Sequence, residues 1–182
     1  MIGTISTIMM LAAPILIIAT GGMICERSGV TNVGLDGLMS IGACTAAIVH
    51  QLLEAAGVGR ISLTVALLAA ALVSMLISVL HAIASVDLKS DQTISGTGIN
   101  LLATGITVFV CQRIYGTDRS TEFKMGMVKD GIGFYPTLYI AIVVVVLAWF
   151  ILYKTPFGMH LRACGEHPAA AGSVVINVRC IR

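Results

Sequence analysis

Uncharged, apolar stretches of membrane length alternate with short charged segments along this chain. The five stretches run from Met1 to Cys25, Gly37 to Leu53, Ile61 to Val86, Gln92 to Gln112 and Gly131 to Tyr153. A helix needs about 20 apolar residues to cross a hydrocarbon core of roughly 30 Å. The second stretch is shorter, and it reaches that length if it extends back through Asp36 with the carboxyl group facing protein. The pattern predicts five transmembrane helices near residues 4–24, 34–54, 61–85, 97–114 and 135–153.

The stretches are apolar on every side, as residues 67–73 show. A membrane-spanning β-strand would instead alternate apolar and polar residues, and only helices and closed barrels satisfy all backbone groups in lipid. The first stretch lacks the basic start and the small-residue cleavage site of a signal peptide. We therefore predict an all-α integral membrane protein whose first helix is retained and is kinked or unwound at Pro14.

Composition excludes several other classes of protein. The 182 residues are 57% hydrophobic and 11% charged, whereas soluble domains carry about 25% charged residues. A net charge of +2 and an aromatic content of 5% argue against nucleic acid as a partner. The five cysteines include no CxxC pair, so neither a disulfide framework nor a zinc site is indicated.

Polar residues form one stripe on the fourth predicted helix. Thr97, Asn100, Thr104, Thr107 and Cys111 recur at spacings of three and four residues, which places them on one helical face. Such residues either hydrogen-bond between helices or line a pathway for a polar solute. Both interpretations stay open, and the candidate pathway residues are the first four.

His50 and His81 each lie near the end of a predicted span. A hydrogen-bonded structural role is favoured over a proton relay. A relay needs partnered acids, and Asp36 is the only acid considered as such a partner.

Three segments carry a family resemblance. Residues 26–37 read ERSGVTNVGLDG, residues 95–100 read SGTGIN, and residues 155–171 read TPFGMHLRACGEHPAAA. Together they resemble the signature loop, fourth-span entry and coupling loop of the permease subunits of ABC importers for nucleosides and simple sugars. These permeases are relatives of the ribose and branched-chain amino acid permeases.

The resemblance assigns roles to two sets of residues. The signature-loop residues are Glu26, Arg27, Asn32, Gly34, Asp36 and Gly37. The residues that contact the ATPase are Gly158, Arg162, Gly165, Glu166, Pro168, Ala169 and Ala170. The implied division is a transmembrane bundle over residues 1–154, followed by a cytoplasmic coupling loop and a truncated tail over residues 155–182.

The resemblance also implies partners and a location. They are separate ABC ATPase subunits, a second permease subunit, an extracytoplasmic substrate-binding lipoprotein and the lipid of a bacterial plasma membrane. The chain has no GxxxxGK[ST] motif, so ATP is expected on the partner subunit, and neither a cofactor nor an enzymatic activity of the chain itself is expected.

The resemblance ends near residue 171. The sequence of residues 172–178 departs from the family pattern, and family members continue through further spans, so a truncated or frameshifted permease is expected. Two alternatives stay open. One is an ion-coupled secondary transporter, whose helices are also broken and glycine-rich, and the other is a nonfunctional membrane fragment.

Overall fold

The computed structural model describes residues 2–120, 123, 126, 128, 130, 131, 133–173 and 177–181. In these residues, five helices are long and apolar enough to cross a membrane. They are α1 (Ile2–Arg27), α2 (Leu35–Ala55), α3 (Ile61–Ala82), α4 (Gln92–Tyr115) and α5 (Pro136–Lys154), and a π-helical turn (Ile83–Asp87) follows α3. Three short helices come after them: α6 (Pro156–Glu166), α7 (Pro168–Ser173) and α8 (Val178–Ile181).

The five predicted spans and the all-α fold class are confirmed. The largest difference in position is the start of α4, which begins at Gln92 rather than near residue 97. The cause is a cap, because the carboxylate of Asp91 accepts hydrogen bonds from the N–H groups of Thr93 and Ile94 at 2.8 and 3.2 Å. Helix α1 is continuous through Pro14, so the predicted unwinding there is wrong.

The chain forms two compact units: residues 33–126 make one, and residues 1–32 with 127–182 make the other. In the first unit, α2 packs against α3 and α4. Small residues allow close approach between these helices: Ala66 and Ala103 are fully buried, and the Ser74 hydroxyl donates to the Leu38 carbonyl at 3.1 Å.

In the second unit, α1 packs against α5 and α6. Small residues are again buried on the two long helices, with Ala13 on α1 and Ala141 and Ala148 on α5, and the larger Leu152 is buried near the end of α5. Near the start of α1, the Ser6 hydroxyl donates to the carbonyl of Gly133, 2.6 Å away. This unit therefore places the end of α1 beside the helix that follows α5.

Candidate functional site

The first half of the signature loop, residues 26–30, forms the C-terminal cap of α1. The N–H of Gly29 donates to the Glu26 carbonyl at 3.0 Å, and that of Val30 donates to the Cys25 carbonyl at 3.2 Å. These two bonds, with Gly29 at a φ of +82°, make a Schellman motif. The hydroxyl of Ser28 also bonds the Cys25 carbonyl, at 2.6 Å. Gly29 is thus required at this position, because the backbone that ends the helix has a positive φ there.

The side chains around this cap differ in exposure. Val30 and Ser28 are buried, Asn32 is half-buried, and Glu26 and Arg27 are exposed. The charged residues of the signature string therefore lie on the surface of the chain, and its small and apolar residues form the cap.

Helix α6 packs its apolar face against α5 and the end of α1. Thr155 caps the helix, because its hydroxyl accepts the Gly158 N–H at 3.2 Å, and Pro156 at the first position suits a helix start. Gly158, Leu161 and Cys164 are buried along one face. Helix α6 is therefore a short amphipathic element, and α7 begins shortly after it at Pro168.

The opposite face of α6 and the start of α7 are exposed. The exposed residues include Glu166, Pro168, Ala169 and Ala170. Arg162 differs from them, because its Nε donates to the Gly158 carbonyl at 3.3 Å and its guanidinium lies 5.0 Å from the centre of the Tyr153 ring. The Arg162 guanidinium therefore contacts groups of this chain, and Glu166 is the more exposed of these two charged residues of the coupling loop.

The second half of the signature loop is bound by Asn100 of α4. The Asn100 amide donates from Nδ2 to the Val33 carbonyl at 3.0 Å, and its Oδ1 accepts the Gly37 N–H at 2.8 Å. A Cβ at Gly37 would lie 2.8 Å from Asn100 Oδ1, and one at Gly96 would lie 2.8 Å from the Gly34 nitrogen. Glycines at 37 and 96 let the two backbones approach closely enough for this clamp.

The first turn of α2 contains the acid of the signature loop. Gly34 is the buried N-cap residue, and Asp36 lies in the first turn, where a carboxylate is stabilised by the helix dipole. The Asp36 side chain is exposed in this chain. Within this chain the carboxyl group therefore does not face protein, contrary to the expectation from the length of the second stretch.

The threonines of the α4 stripe behave differently from Asn100. The hydroxyl of Thr104 donates to the Asn100 carbonyl at 2.9 Å, that of Thr107 donates to the Thr104 carbonyl at 3.1 Å, and that of Thr97 donates to the Thr93 carbonyl. The buried face of α4 consists of Gly96, Ile99 and Ala103. The stripe lies at the margin of that face. Its asparagine bonds the loop before α2, and its cysteine, Cys111, lies with its sulfur 4.0 Å from that of Cys44 on α2, whereas the threonine hydroxyls bond their own helix; a solute pathway along the threonines stays a prediction.

Sequence reasoning missed the acid beside His50. His50 is buried, with Nδ1 3.1 Å from the Ser62 hydroxyl and Nε2 3.8 Å from a carboxylate oxygen of Glu54. The spacing of four residues between His50 and Glu54 was the available signal. His81 is likewise buried, with its Nδ1 3.0 Å from the hydroxyl of Ser95 on α4. Both histidines therefore join neighbouring elements, as the structural interpretation predicts.

Replacing Asn100 with leucine is expected to destabilise the first unit by about 2 kcal/mol, because two backbone groups lose their partner while the volume stays similar. Membrane abundance and thermal stability in detergent should both fall. Thr104→Val is the matched control, since it removes a hydroxyl bonded only within its own helix. Equal abundance of the two variants would contradict the clamp. Reduced solute uptake by Thr104→Val at unchanged abundance would support the pathway.

Five membrane-length helices in two compact units, followed by an amphipathic helix packed on the end of α1, define a multi-pass membrane protein. Residues 4–182 match the family described as the permease component of branched-chain amino acid transport systems, and the chain belongs to that family. The membership suggested by the three sequence strings is confirmed.

Three relatives indicate where in the family the chain lies. It is 42% identical to the guanosine ABC transporter permease protein NupQ of Bacillus subtilis, over 94% of this chain and 58% of the relative. It is 34% identical to the nucleoside ABC transporter permease protein NupC of Lactococcus lactis, over 98% of this chain and 60% of the relative. It is 30% identical to a putative glucose ABC transporter permease protein of Haloferax volcanii, over 97% of this chain and 55% of the relative.

The chain thus spans about three-fifths of the length of these relatives. No solved structure matches it.

Proposed function

We propose that this chain contributes to the permease subunit of an ABC importer for nucleosides, driven by separate ATPase subunits. The observation that carries the proposal is the 42% identity to a guanosine permease across 94% of the chain. The second nucleoside permease shares 34% of residues and the glucose permease 30%. Among the two solute classes suggested by the sequence, this order favours nucleosides over simple sugars.

The ATPase is proposed to bind the exposed surface of α6 and α7. One face of α6 is buried against the chain, and the other, with Glu166, is exposed. A short helix with one face fixed and one face open is suited to a groove on a partner. The alanines at positions 169 and 170 permit close approach, and ATP hydrolysis belongs to the partner because the chain has no P-loop motif.

The remaining parts of the proposal follow from the family. A second permease subunit would complete the pathway, and a substrate-binding lipoprotein would deliver the solute from outside. The bacterial plasma membrane is the proposed location, with α6 and α7 on the cytoplasmic side.

Uptake of radiolabelled guanosine by cells that express the complete importer tests the proposed substrate and energy source. We expect uptake to be reduced by excess unlabelled nucleosides but not by excess glucose or ribose. Uptake should persist when an ionophore collapses ion gradients while ATP is maintained, and should stop when the P-loop lysine of the ATPase is replaced. Uptake that stops with the ion gradient would support the ion-coupled alternative. Competition by a sugar instead of nucleosides would contradict the substrate class.

A further inference from the structure

The last turn of α6 contacts the cap of α1 through backbone atoms. A Cβ placed on Gly165 would lie 2.3 Å from the Arg27 carbonyl oxygen and 3.1 Å from the Gly29 nitrogen. Both partner atoms belong to the Schellman cap of α1, whose hydrogen bonds fix their positions. No residue other than glycine fits at position 165 without displacing one backbone from the other.

The first turn of α6 contacts α5 in the same manner. A Cβ on Gly158 would lie 2.2 Å from the Ile151 carbonyl oxygen and 2.4 Å from that of Leu152. Leu161 and Cys164, both buried, fill the space between the two glycines. Helix α6 is therefore fixed at its start to α5 and at its end to α1.

These contacts have a mechanical consequence for any force on the exposed face of α6. A displaced side chain changes rotamer at little cost, whereas close-packed backbone atoms transmit a displacement. Glu166, the exposed residue proposed to contact the ATPase, follows Gly165 directly in the sequence. A movement of that residue reaches the cap of α1 through one peptide unit and one backbone contact.

We infer that Gly165 is a positioning residue that transmits the movement of the ATPase from α6 to the C-terminal cap of α1. The segment on which this movement acts is residues 26–30, which read ERSGV. The inference rests on the proposed function. It adds the element within the permease on which the coupling helix acts and explains one glycine in each of the two strings: Gly165 in the coupling loop permits the contact, and Gly29 forms the cap that receives it.

The test compares Gly165→Ala with Gly172→Ala in the complete importer. The two substitutions are chemically identical and lie in the same segment, but a Cβ on Gly172 meets no atom within 4 Å. The readout is the number of ATP molecules hydrolysed per nucleoside imported, at equal membrane abundance. A purely structural defect lowers abundance and leaves this ratio unchanged. We expect the ratio to rise about tenfold for Gly165→Ala and to stay at the wild-type value for Gly172→Ala.

A wild-type ratio for Gly165→Ala would overturn the inference, and so would an equal rise in both variants. If Gly165→Ala does not accumulate in the membrane, Ser28→Ala tests the inference instead. This substitution removes the hydrogen bond from the Ser28 hydroxyl to the Cys25 carbonyl and so loosens the cap without adding volume. We expect a raised ratio for it, and a wild-type ratio would overturn the inference. Failure of the proposed function is a separate result, in which the wild-type importer itself couples no ATP hydrolysis to nucleoside uptake.

Discussion

Replacing Gly158 with alanine is expected to separate α6 from the end of α5. The added Cβ would lie 2.2 and 2.4 Å from two carbonyl oxygens in the last turn of α5, and neither backbone can rotate away as a side chain would. Overpacking of this kind costs about 3 kcal/mol. We expect a lower unfolding temperature in detergent and new protease cleavage within residues 155–173.

Gly98→Ala is the control for this experiment, because a Cβ there meets no atom within 4 Å. In a helix interior, alanine is favoured over glycine by about 0.5–1 kcal/mol, so the control should be as stable as the wild type or more stable. Equal stability of the Gly158 and Gly98 variants would show that α6 does not pack on α5 in this way.

Glu166→Lys is expected to abolish coupled uptake while leaving the permease folded. Glu166 is the last residue of α6 and is exposed, and in the described part of the chain it forms no ion pair. A carboxylate at a helix C-terminus opposes the helix dipole, whereas a lysine there adds about 0.3–1 kcal/mol of stability. Helix stability therefore does not explain the glutamate, which supports the proposed contact with the ATPase.

The measurement is uptake together with ATP hydrolysis and membrane abundance. At a close interface, a reversed charge introduces repulsion of several kcal/mol, so uptake should fall by at least tenfold at unchanged abundance. Glu166→Gln removes the charge without reversing it and should give an intermediate value. Normal uptake by Glu166→Lys would place the coupling contact elsewhere, and reduced abundance would assign Glu166 a structural role.

The sequence predicts the spans well because charged residues are expensive in lipid and therefore mark the ends of helices. The predicted start of α4 is wrong because several polar residues near it could each cap the helix, and Ser, Thr, Asn and Asp are all common N-caps. The charge-free stretch that begins at Gln92 indicates the residue at which α4 starts. The continuous path of α1 through Pro14 reflects the tolerance of membrane helices for proline, whose freed backbone groups find other partners.

The contacts that define the candidate site were not predictable in the same way. The bonds from Asn100 join residues 63 and 67 positions apart in the chain, and helical periodicity reports only which residues share a face. The stripe pattern therefore grouped Asn100, which bonds the start of α2, with threonines that bond their own helix. The glycine contact at position 165 depends on the path of two separate backbones, and no local signal in the sequence contains that information.

In the proposed importer, ATP bound by a partner on the side of α6 and α7 drives nucleoside transport. The most direct test is uptake of labelled guanosine into proteoliposomes that contain the purified complete importer, with the binding protein and ATP supplied on opposite faces of the membrane. We expect guanosine to move toward the compartment that contains ATP, at a rate that falls to background with a non-hydrolysable ATP analogue. Guanosine movement that is unchanged with the analogue, or that follows an imposed ion gradient without ATP, would contradict the proposal.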